Sequence, residues 1–460
     1  VVLFIWMGQM LFHTGASEWF TDLSAAMMGR SRGGSAKIAV VASSLFGSIS
    51  GSAVSNVAST GVITIPLRRR AGYNAKTAGA IEAVASTGGQ IMPPIMGAAA
   101  FLMAELLELA YTEIILAALI PSILYYLAVF VQADLEAAKN GIAALPKDRI
   151  PPMLRVMKEG WFFIVPYVVL IYTLFWMNMA PQQAAFWAAI SVGVVSIVFG
   201  YRKIRITPKQ FLDTFASCGR MSVDIIIIGA MAGVIIGILD KTGLGQALTL
   251  ILAAVGENNL WLLLILTAVI SILLGMGMPT SAIYLLLATM IAPSLIKLGI
   301  NPISAHLFVL YFGLMSMITP PVALAAFAAA SLAGAKPMET GMTAVRLGWI
   351  AYIIPFVFVL SPSLLMQGGA VQVLSALAMA IIGVWIASCG FIGYLFRPIG
   401  VVFRLLFVAA GLALLVPGEA FSQGFMINAI GGIAAVLLIG REFMLRRIGG
   451  VASPTRSWKT

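Results

Sequence analysis

The sequence predicts an all-α integral membrane protein, built as an inverted-repeat transporter with two re-entrant hairpins and helices broken at Pro-Pro pairs. Three observations carry that expectation: an apolar composition, a series of membrane-length segments, and an internal repeat in which helix breakers recur in register. Of 460 residues, 61% are hydrophobic and only 10% are charged, whereas soluble domains carry about 25% charged residues. So little polar material cannot cover a water-soluble fold. Lys and Arg number 28 against 17 Asp and Glu, a net charge of +11. Basic loops on the cytoplasmic face of a membrane protein produce that excess, so membrane lipid is the expected partner and nucleic acid is not. Cys218 and Cys389 are the only cysteines, which leaves no disulfide framework and no Cys-based metal site.

The opening run VVLFIWMGQMLF would rise about 18 Å as a helix against a ~30 Å hydrocarbon core. It reads as the end of a helix begun upstream. Candidate crossings follow at 77–108, 114–132, 160–178, 181–200, 221–239, 301–335, 344–366, 372–392, 399–416 and 424–440. Helices are implied throughout, because no barrel-type alternation is present and a membrane admits only those two solutions. Basic clusters set the cytoplasmic side: Arg30, Arg32 and Lys37; Arg68, Arg69, Arg70 and Lys76; Lys139, Lys147, Arg149, Arg155 and Lys158; Arg202, Lys203, Arg205, Lys209 and Arg220. The apolar segment between Lys37 and Arg68 has basic residues at both ends and GSISGS in its middle. It should enter and leave on one side, as a re-entrant hairpin whose non-helical tip is buried or lines a cavity. Five crossings then bring Asp240 outside. A second interrupted run, 260–296, breaks at GMGMPT between Glu257 and Lys297 and reads as a hairpin entering from the outside.

An internal repeat points the same way. At an offset of 227, Ser44 meets Ser271, Pro66 meets Pro293, Gly72 meets Gly299, Asn74 meets Asn301, and Pro93-Pro94 meets Pro320-Pro321, with Ile91/Ile318, Ala98/Ala325 and Ala99/Ala326 alongside. A one-residue slip aligns Thr14-Gly15 with Thr242-Gly243, each preceding a short amphipathic stretch such as Trp19, Leu23, Ala26 and Met27. The expected organisation is a first repeat over 1–113, scaffold helices over 114–220, a second repeat over 221–340, and C-terminal helices with a basic tail over 341–460. An odd number of crossings between the hairpins makes the repeats inverted, the architecture of secondary transporters whose site lies where the breaks meet.

The first pair of breaks is FGSISGSAVSN (46–56) with ASTGGQIMPP (85–94), and the second is GMGMPTS (275–281) with MSMITPP (315–321). Unwound backbone exposes carbonyls and half-helix N-termini present a positive dipole end, so one site can hold a cation and an anion side by side. Oxygens from Ser50, Ser52, Asn56, Ser86, Thr87, Thr280, Ser316 and Thr319, with backbone at Gly51, Gly88, Gly275 and Gly277, form the expected cation site. Hard oxygen ligands suit an alkali cation such as sodium. The anion is expected at Ser52, Ser55, Gly89, Pro93, Pro94, Met278, Pro279, Pro320 and Pro321. Small residues can also do no more than permit close helix packing, but four breaks paired by symmetry favour a site. Asp224 and Glu82 are acids within apolar spans and therefore functional candidates. For Asp224 the competing role is an interfacial acid, and for Glu82 packing with a neighbouring Arg or Lys. His306 is expected near the outer interface and His13 at a helix end. Neither has metal-ligand neighbours, and no catalytic residue is assigned. Trp161, Trp176, Tyr125 and Tyr126 read as interface anchors.

LFGSISGSAVSNVASTG with IPLRRRAGYN, the GQIMPPI break, LLGMGMPTSA and MITPPVALAAFAAASLA resemble the large membrane subunit of tripartite ATP-independent periplasmic (TRAP) transporters. The resemblance covers roughly 1–366, and its TAXI branch is the closest in kind because 372–460 adds three helices. It implies a sodium-driven elevator in the bacterial inner membrane that imports organic acids. Delivery would be by a periplasmic substrate-binding protein, with a small membrane subunit that is separate or fused upstream. It also implies that the tips around Ser50 to Asn56 and Gly275 to Thr280 carry sodium and substrate. One departure stands out: neither tip carries an Arg to pair with a carboxylate, so dipoles and hydroxyls must do that work. The rivals are a stand-alone cation/dicarboxylate symporter, a passive channel, and an enzyme acting on lipid-linked substrates. The last would need an interfacial cluster of His, acids or Arg that the sequence does not offer.

Overall fold

A computed structural model describes residues 2–202, 205–243, 247, 250–251, 254, 259–418 and 423–448; inside the helix at 208–242 the side chains of 224, 232, 236, 239 and 240 are excepted. The expectations for Asp224, Asp240, Glu257 and much of the second amphipathic stretch therefore lie outside the described residues. The rest is helical. In order, the helices are α1 (Val2–His13), α2 (Ala16–Met28), α3 (Gly34–Ser50), α4 (Ala53–Arg70), α5 (Ala75–Gly88), α6 (Ala98–Leu106), α7 (Tyr111–Asn140), α8 (Met153–Gly160), α9 (Ile164–Phe175), α10 (Pro181–Val198) and α11 (Pro208–Thr242). They continue as α12 (Leu260–Gly275), α13 (Thr280–Met290), α14 (Ala292–Lys297), α15 (Pro302–Met315), α16 (Leu324–Ala333), α17 (Pro337–Leu347), α18 (Ile350–Leu360), α19 (Ala370–Ile392), α20 (Val401–Leu415) and α21 (Gly424–Ile448). Among the described residues seven helical segments are long and apolar enough to cross a membrane, the most apolar being Tyr111–Asn140.

Local chemistry explains where the elements turn. Gly51, at the reversal between α3 and α4, is left-handed at φ 61°, and Ser52 caps α4 by accepting from Ser55 N. The reversal between α12 and α13 uses Gly277 at φ 81°. Asn74 accepts from Thr77 N to cap α5, and Asn301 accepts from Ile303 N and Ser304 N to cap α15. Such caps satisfy amide donors that the first turn leaves unpaired. Gly72 and Gly299, one turn earlier, are left-handed at φ 105° and 84°, a conformation a Cβ disfavours. Residues matched at the 227 offset thus do the same conformational work in both halves. The helices beginning at 75 and 302 stop at Gly88 and Met315 and resume at Ala98 and Leu324, because a proline removes a donor and clashes with the preceding turn. Each resumed helix packs on the other half: α6 on α13, and α16 on α4 and α5.

Several boundaries differ from expectation for local reasons. The 221–239 segment begins at Pro208, because Thr207 and Gln210 form a reciprocal capping box; the helix therefore runs unbroken through 220, where a domain boundary was drawn. The 160–178 segment opens as a tight turn at Trp161–Phe163 and is regular only over α9. The 344–366 segment is two helices, α17 and α18, followed by a turn at Pro362–Leu365. Trp161 and Trp176 are exposed, but Tyr125 and Tyr126 are buried and donate to Val84 O at 2.6 Å and Ala85 O at 2.8 Å. They brace the last turn of α5 rather than anchor an interface. His306 is likewise buried, its Nδ1 sharing a 2.7 Å hydrogen bond with the Tyr284 hydroxyl.

The basic residues expected to mark the cytoplasmic side do not all face outward. Lys37 is buried and pairs with Asp134 at 2.7 Å, and the more exposed Arg32 pairs with the same carboxylate. Arg68 is fully buried, and its Nη2 lies 2.5 Å from Glu82 Oε2. Glu82 also accepts from Thr64 at 2.5 Å, Thr60 at 2.6 Å and Ser43 at 3.3 Å, so the carboxylate fastens α3 and α4 to α5. That is the packing with a neighbouring Arg that the sequence offered for Glu82. Removing one partner of a buried ion pair costs about 3–5 kcal/mol, whereas replacing both by apolar groups is often neutral. Glu82→Gln is therefore expected to lower the unfolding temperature of the detergent-solubilised protein, and Arg68→Met with Glu82→Leu to restore most of it. Wild-type stability in Glu82→Gln would show that the pair holds nothing together.

Candidate functional site

The hairpin tips and the helix breaks lie against one another in both halves, and glycine makes the approach possible. A Cβ on Gly89 would run into the Cα of Gly47, and one on Gly47 would come within 2.6 Å of Gly89 Cα and Asn56 Nδ2. In the second half a Cβ on Gly275 would fall 2.9 Å from Ser316 Oγ, and that hydroxyl donates to Gly275 O at 2.9 Å. Each tip is thus seated on the break that follows it. A Cβ on Gly88 would strike the Tyr125 ring, so the brace behind α5 sets the third tight contact.

A cavity of about 590 Å³ lies between the two tips. Its walls include Ser50, Gly51, Ser52 and Ser55 from the first tip, Gly277, Met278, Pro279 and Thr280 from the second, and Met96 and Met317 from the breaks. Helices α1 and α11 close the side, contributing Phe4, Gln9, Phe12, Met221 and Ile225. Among the described residues no Lys, Arg, Asp, Glu or His lines it. The first residues of four helices, Ala53, Ala98, Thr280 and Leu324, all line it. Four positive dipole ends therefore converge on this space, and helix N-termini are ready-made anion sites.

The residues expected to bind divide by their hydrogen bonds. Ser50 and Ser52 make only long contacts, Ser50 Oγ to Gly47 O and Ser52 O at 3.5 Å and Ser52 Oγ from Ser55 N at 3.4 Å, so their oxygens can still take a cation. Ser86 Oγ is buried without a partner in the structure and is an oxygen of the same kind. Others are hydrogen-bonded within the protein. Asn56 donates to Ser43 O at 3.1 Å and accepts from Thr60, Thr87 donates to Ala83 O at 2.8 Å, Ser316 is spent on Gly275 and Gly313, and Thr319 on Met315 O and the Tyr352 hydroxyl. Gly88, Gly89, Gly275, Pro93, Pro94, Pro320 and Pro321 do not line the cavity. They shape it from behind: Pro320 packs against α17 at Gly341, and the freed Pro94 and Ile95 carbonyls accept from the Tyr111 hydroxyl. Sequence reasoning missed Gln90, a buried side chain that touches both tips. Among the described residues no group of three or more His, Cys, Asp or Glu could hold a metal.

Interrupted helices closing on an internal cavity in an all-α, multi-pass membrane protein define a membrane transporter. The comparisons agree. The family described as "Tripartite ATP-independent periplasmic transporter, DctM component" matches residues 1–373, and the chain belongs to it, a family of transporter permeases rather than enzymes. The C4-dicarboxylate TRAP transporter large permease protein DctM of Pseudomonas aeruginosa is 26% identical over 364 residues, covering 78% of this chain and 83% of that one. The sialic acid TRAP transporter large permease protein SiaM of Vibrio cholerae is 23% identical, covering 78% and 82%. The isethionate TRAP transporter permease protein DctMQ of Oleidesulfovibrio alaskensis is 24% identical, covering 73% of this chain and 52% of its own length. Beyond the match, α19 packs along α7, with Lys139 Nζ donating to Ile392 O at 2.8 Å, so the last three helices are joined to the long central helix.

If the seats of the tips matter, a single methyl should disturb them. Gly47→Ala and Gly89→Ala are expected to lower the unfolding temperature by several degrees and to reduce uptake. Gly432→Ala, whose Cβ would meet nothing nearer than 3.9 Å, should be neutral or stabilising, since alanine favours a helix interior by about 1 kcal/mol. Equal melting of all three would show that tip and break are not in contact.

Proposed function

We propose that this chain is the large permease subunit of a sodium-coupled TRAP system that imports a small organic acid across the bacterial inner membrane. The observation that carries the reading is the cavity on which four helix N-termini converge and which no charged side chain among the described residues lines. A carboxylate or comparable anion finds amides and hydroxyls there, and its charge is met by dipoles instead of by a fixed guanidinium. Relatives named for C4-dicarboxylate, sialic acid and isethionate support an organic anion as the class. Sodium is supported by the uncommitted oxygens of Ser50, Ser52 and Ser86 and the carbonyl of Gly51, hard donors suited to an alkali cation. A bound cation would add to the positive potential that holds the anion. The hairpins α3–α4 and α12–α14 are read as re-entrant from opposite faces and as moving together in an elevator, with α7 and the C-terminal helices as scaffold. A periplasmic substrate-binding protein and a small membrane subunit complete the system, and the TAXI assignment rests on the three helices beyond the family match.

Two measurements test this. In reconstituted vesicles with the small subunit and binding protein present, Ser52→Ala is expected to weaken the apparent sodium affinity for uptake about tenfold with protein abundance unchanged. Wild-type sodium dependence in that variant would remove the first tip from the cation site, and wild-type uptake without the binding protein would favour a stand-alone symporter. Single cysteines at Arg69 and Gly299, both exposed, should label from opposite sides of the membrane. Labelling from one side would overturn the inverted arrangement.

A further inference from the structure

Gln90 sits in the tight turn Gly89–Ile91 that ends α5, is 3% exposed, and lies behind the cavity wall. The amide orientation that satisfies all of its neighbours has Nε2 donating to Thr280 Oγ1 and to Gly51 O at 3.2 Å, and Oε1 accepting from Ala53 N at 3.3 Å. One amide thus ties the tip of the first hairpin, on both sides of Ser52, to the first residue of α13 at the second tip. Among the described residues no other side-chain hydrogen bond joins the two tips. The backbone of Gln90 is itself pinned, since its carbonyl accepts from Gly97 N at 2.9 Å across the break. At the 227 offset its counterpart is Met317, which lines the cavity and has no amide to offer. The tie is therefore single and belongs to the first half alone.

A buried primary amide needs partners for both donors and its acceptor. Separating either tip from Gln90 would leave an unpaired polar group at each end, so the tips are favoured in one mutual arrangement. Resting on the sodium-coupled reading above, we propose that Gln90 is a positioning residue that couples cation binding at the first tip to substrate binding at the second. A cation drawn to the Gly51 carbonyl and Ser52 orders the loop that Gln90 holds. Through the same amide this fixes Thr280 and the N-terminus of α13, where the anion is held. Linkage is reciprocal, so substrate must tighten the cation by the same factor.

The test uses the wild-type system and Gln90→Ala, Gln90→Met and Gln90→Glu, reading the apparent sodium affinity for uptake at low and at saturating substrate. In the wild type, saturating substrate should shift that affinity about tenfold. In Gln90→Ala and Gln90→Met the shift should fall toward one while uptake at saturating sodium and substrate persists. Gln90→Glu can still accept from Thr280 and Ala53 but cannot donate to Gly51 O, and should keep an intermediate shift. A structural role alone would lower abundance without changing the ratio, so an undiminished shift in Gln90→Ala overturns the proposal. Spin labels at Val62 on α4 and Leu273 on α12, both exposed and off the cavity, read the tie without any ligand. Their distance distribution should broaden in Gln90→Ala, and an unchanged width overturns the tie. Absence of sodium dependence in the wild type would instead defeat the functional reading and leave the width measurement to judge the tie alone.

Discussion

Backbone polar groups inside a membrane must find partners within the protein, and every unusual feature of this chain is arranged around that constraint. Four interruptions, at 51–52, 89–97, 276–279 and 316–323, would each strand donors and acceptors if they faced lipid. They face one another instead. Gly47 lies on Gly89 and Gly275 on Ser316 at distances that side chains would forbid, so each interruption is covered by the other member of its pair. The carbonyls that proline frees are taken up by Tyr111, and the last turn of α5 is met by Tyr125 and Tyr126. The cavity forms between the two tips, where the interruptions meet.

The two halves obey the same rules but are fastened differently. Asparagine caps, left-handed glycines and proline pairs recur at one offset because each fixes backbone direction, and direction is what a repeat must preserve. The Arg68–Glu82 pair and the Gln90 amide do not recur; Leu295, Val309 and Met317 stand at the equivalent positions. The first hairpin is therefore clamped to α5 by buried charge and to the second tip by one amide. The second hairpin rests mainly on apolar packing of α12 and α13 against α15. A buried charge network costs desolvation that apolar packing does not, so its presence in one half points to a geometric requirement there.

Much of this was legible in the sequence, and what was not follows a pattern. Hairpins, breaks and caps were readable from Gly, Pro and Asn because those residues act on their own backbone. Partner choice was not. Arg68 counts with the basic cluster that marks the cytoplasmic side because it stands in RRR, and only the fold shows that it turns inward while Arg69 and Arg70 stay exposed. Tyr125 and Tyr126 read as interface anchors because their composition suits that role, yet the helix they brace lies more than forty positions away. Gln90 stood inside a motif noted for its prolines, and nothing local distinguishes it. Its meaning depends on Thr280, a contact across 190 positions.

A cavity walled by helix N-termini, with no charged side chain among its described lining residues, bears on how the proposed site could both hold and release an anion. A guanidinium beside a carboxylate gives a strong, directional, bidentate contact whose rupture must be offset when the site empties. Helix N-termini provide roughly half a charge each, spread over several amides and strongest within the first turn. With Ala53, Ala98, Thr280 and Leu324 all on the wall, an anion in the proposed site would meet a broad positive field that selects for sign more than for shape. A cation at the first tip would strengthen that field and its departure would weaken it, so the order of loading and release need not be enforced by a moving side chain. Shape selection then falls to the apolar lining of Phe4, Phe12, Met96 and Met317, whose methionines adapt to different outlines. Under the proposed reading the charge requirement would belong to the backbone, which the repeat preserves, and the substrate preference to side chains that can change without disturbing the fold.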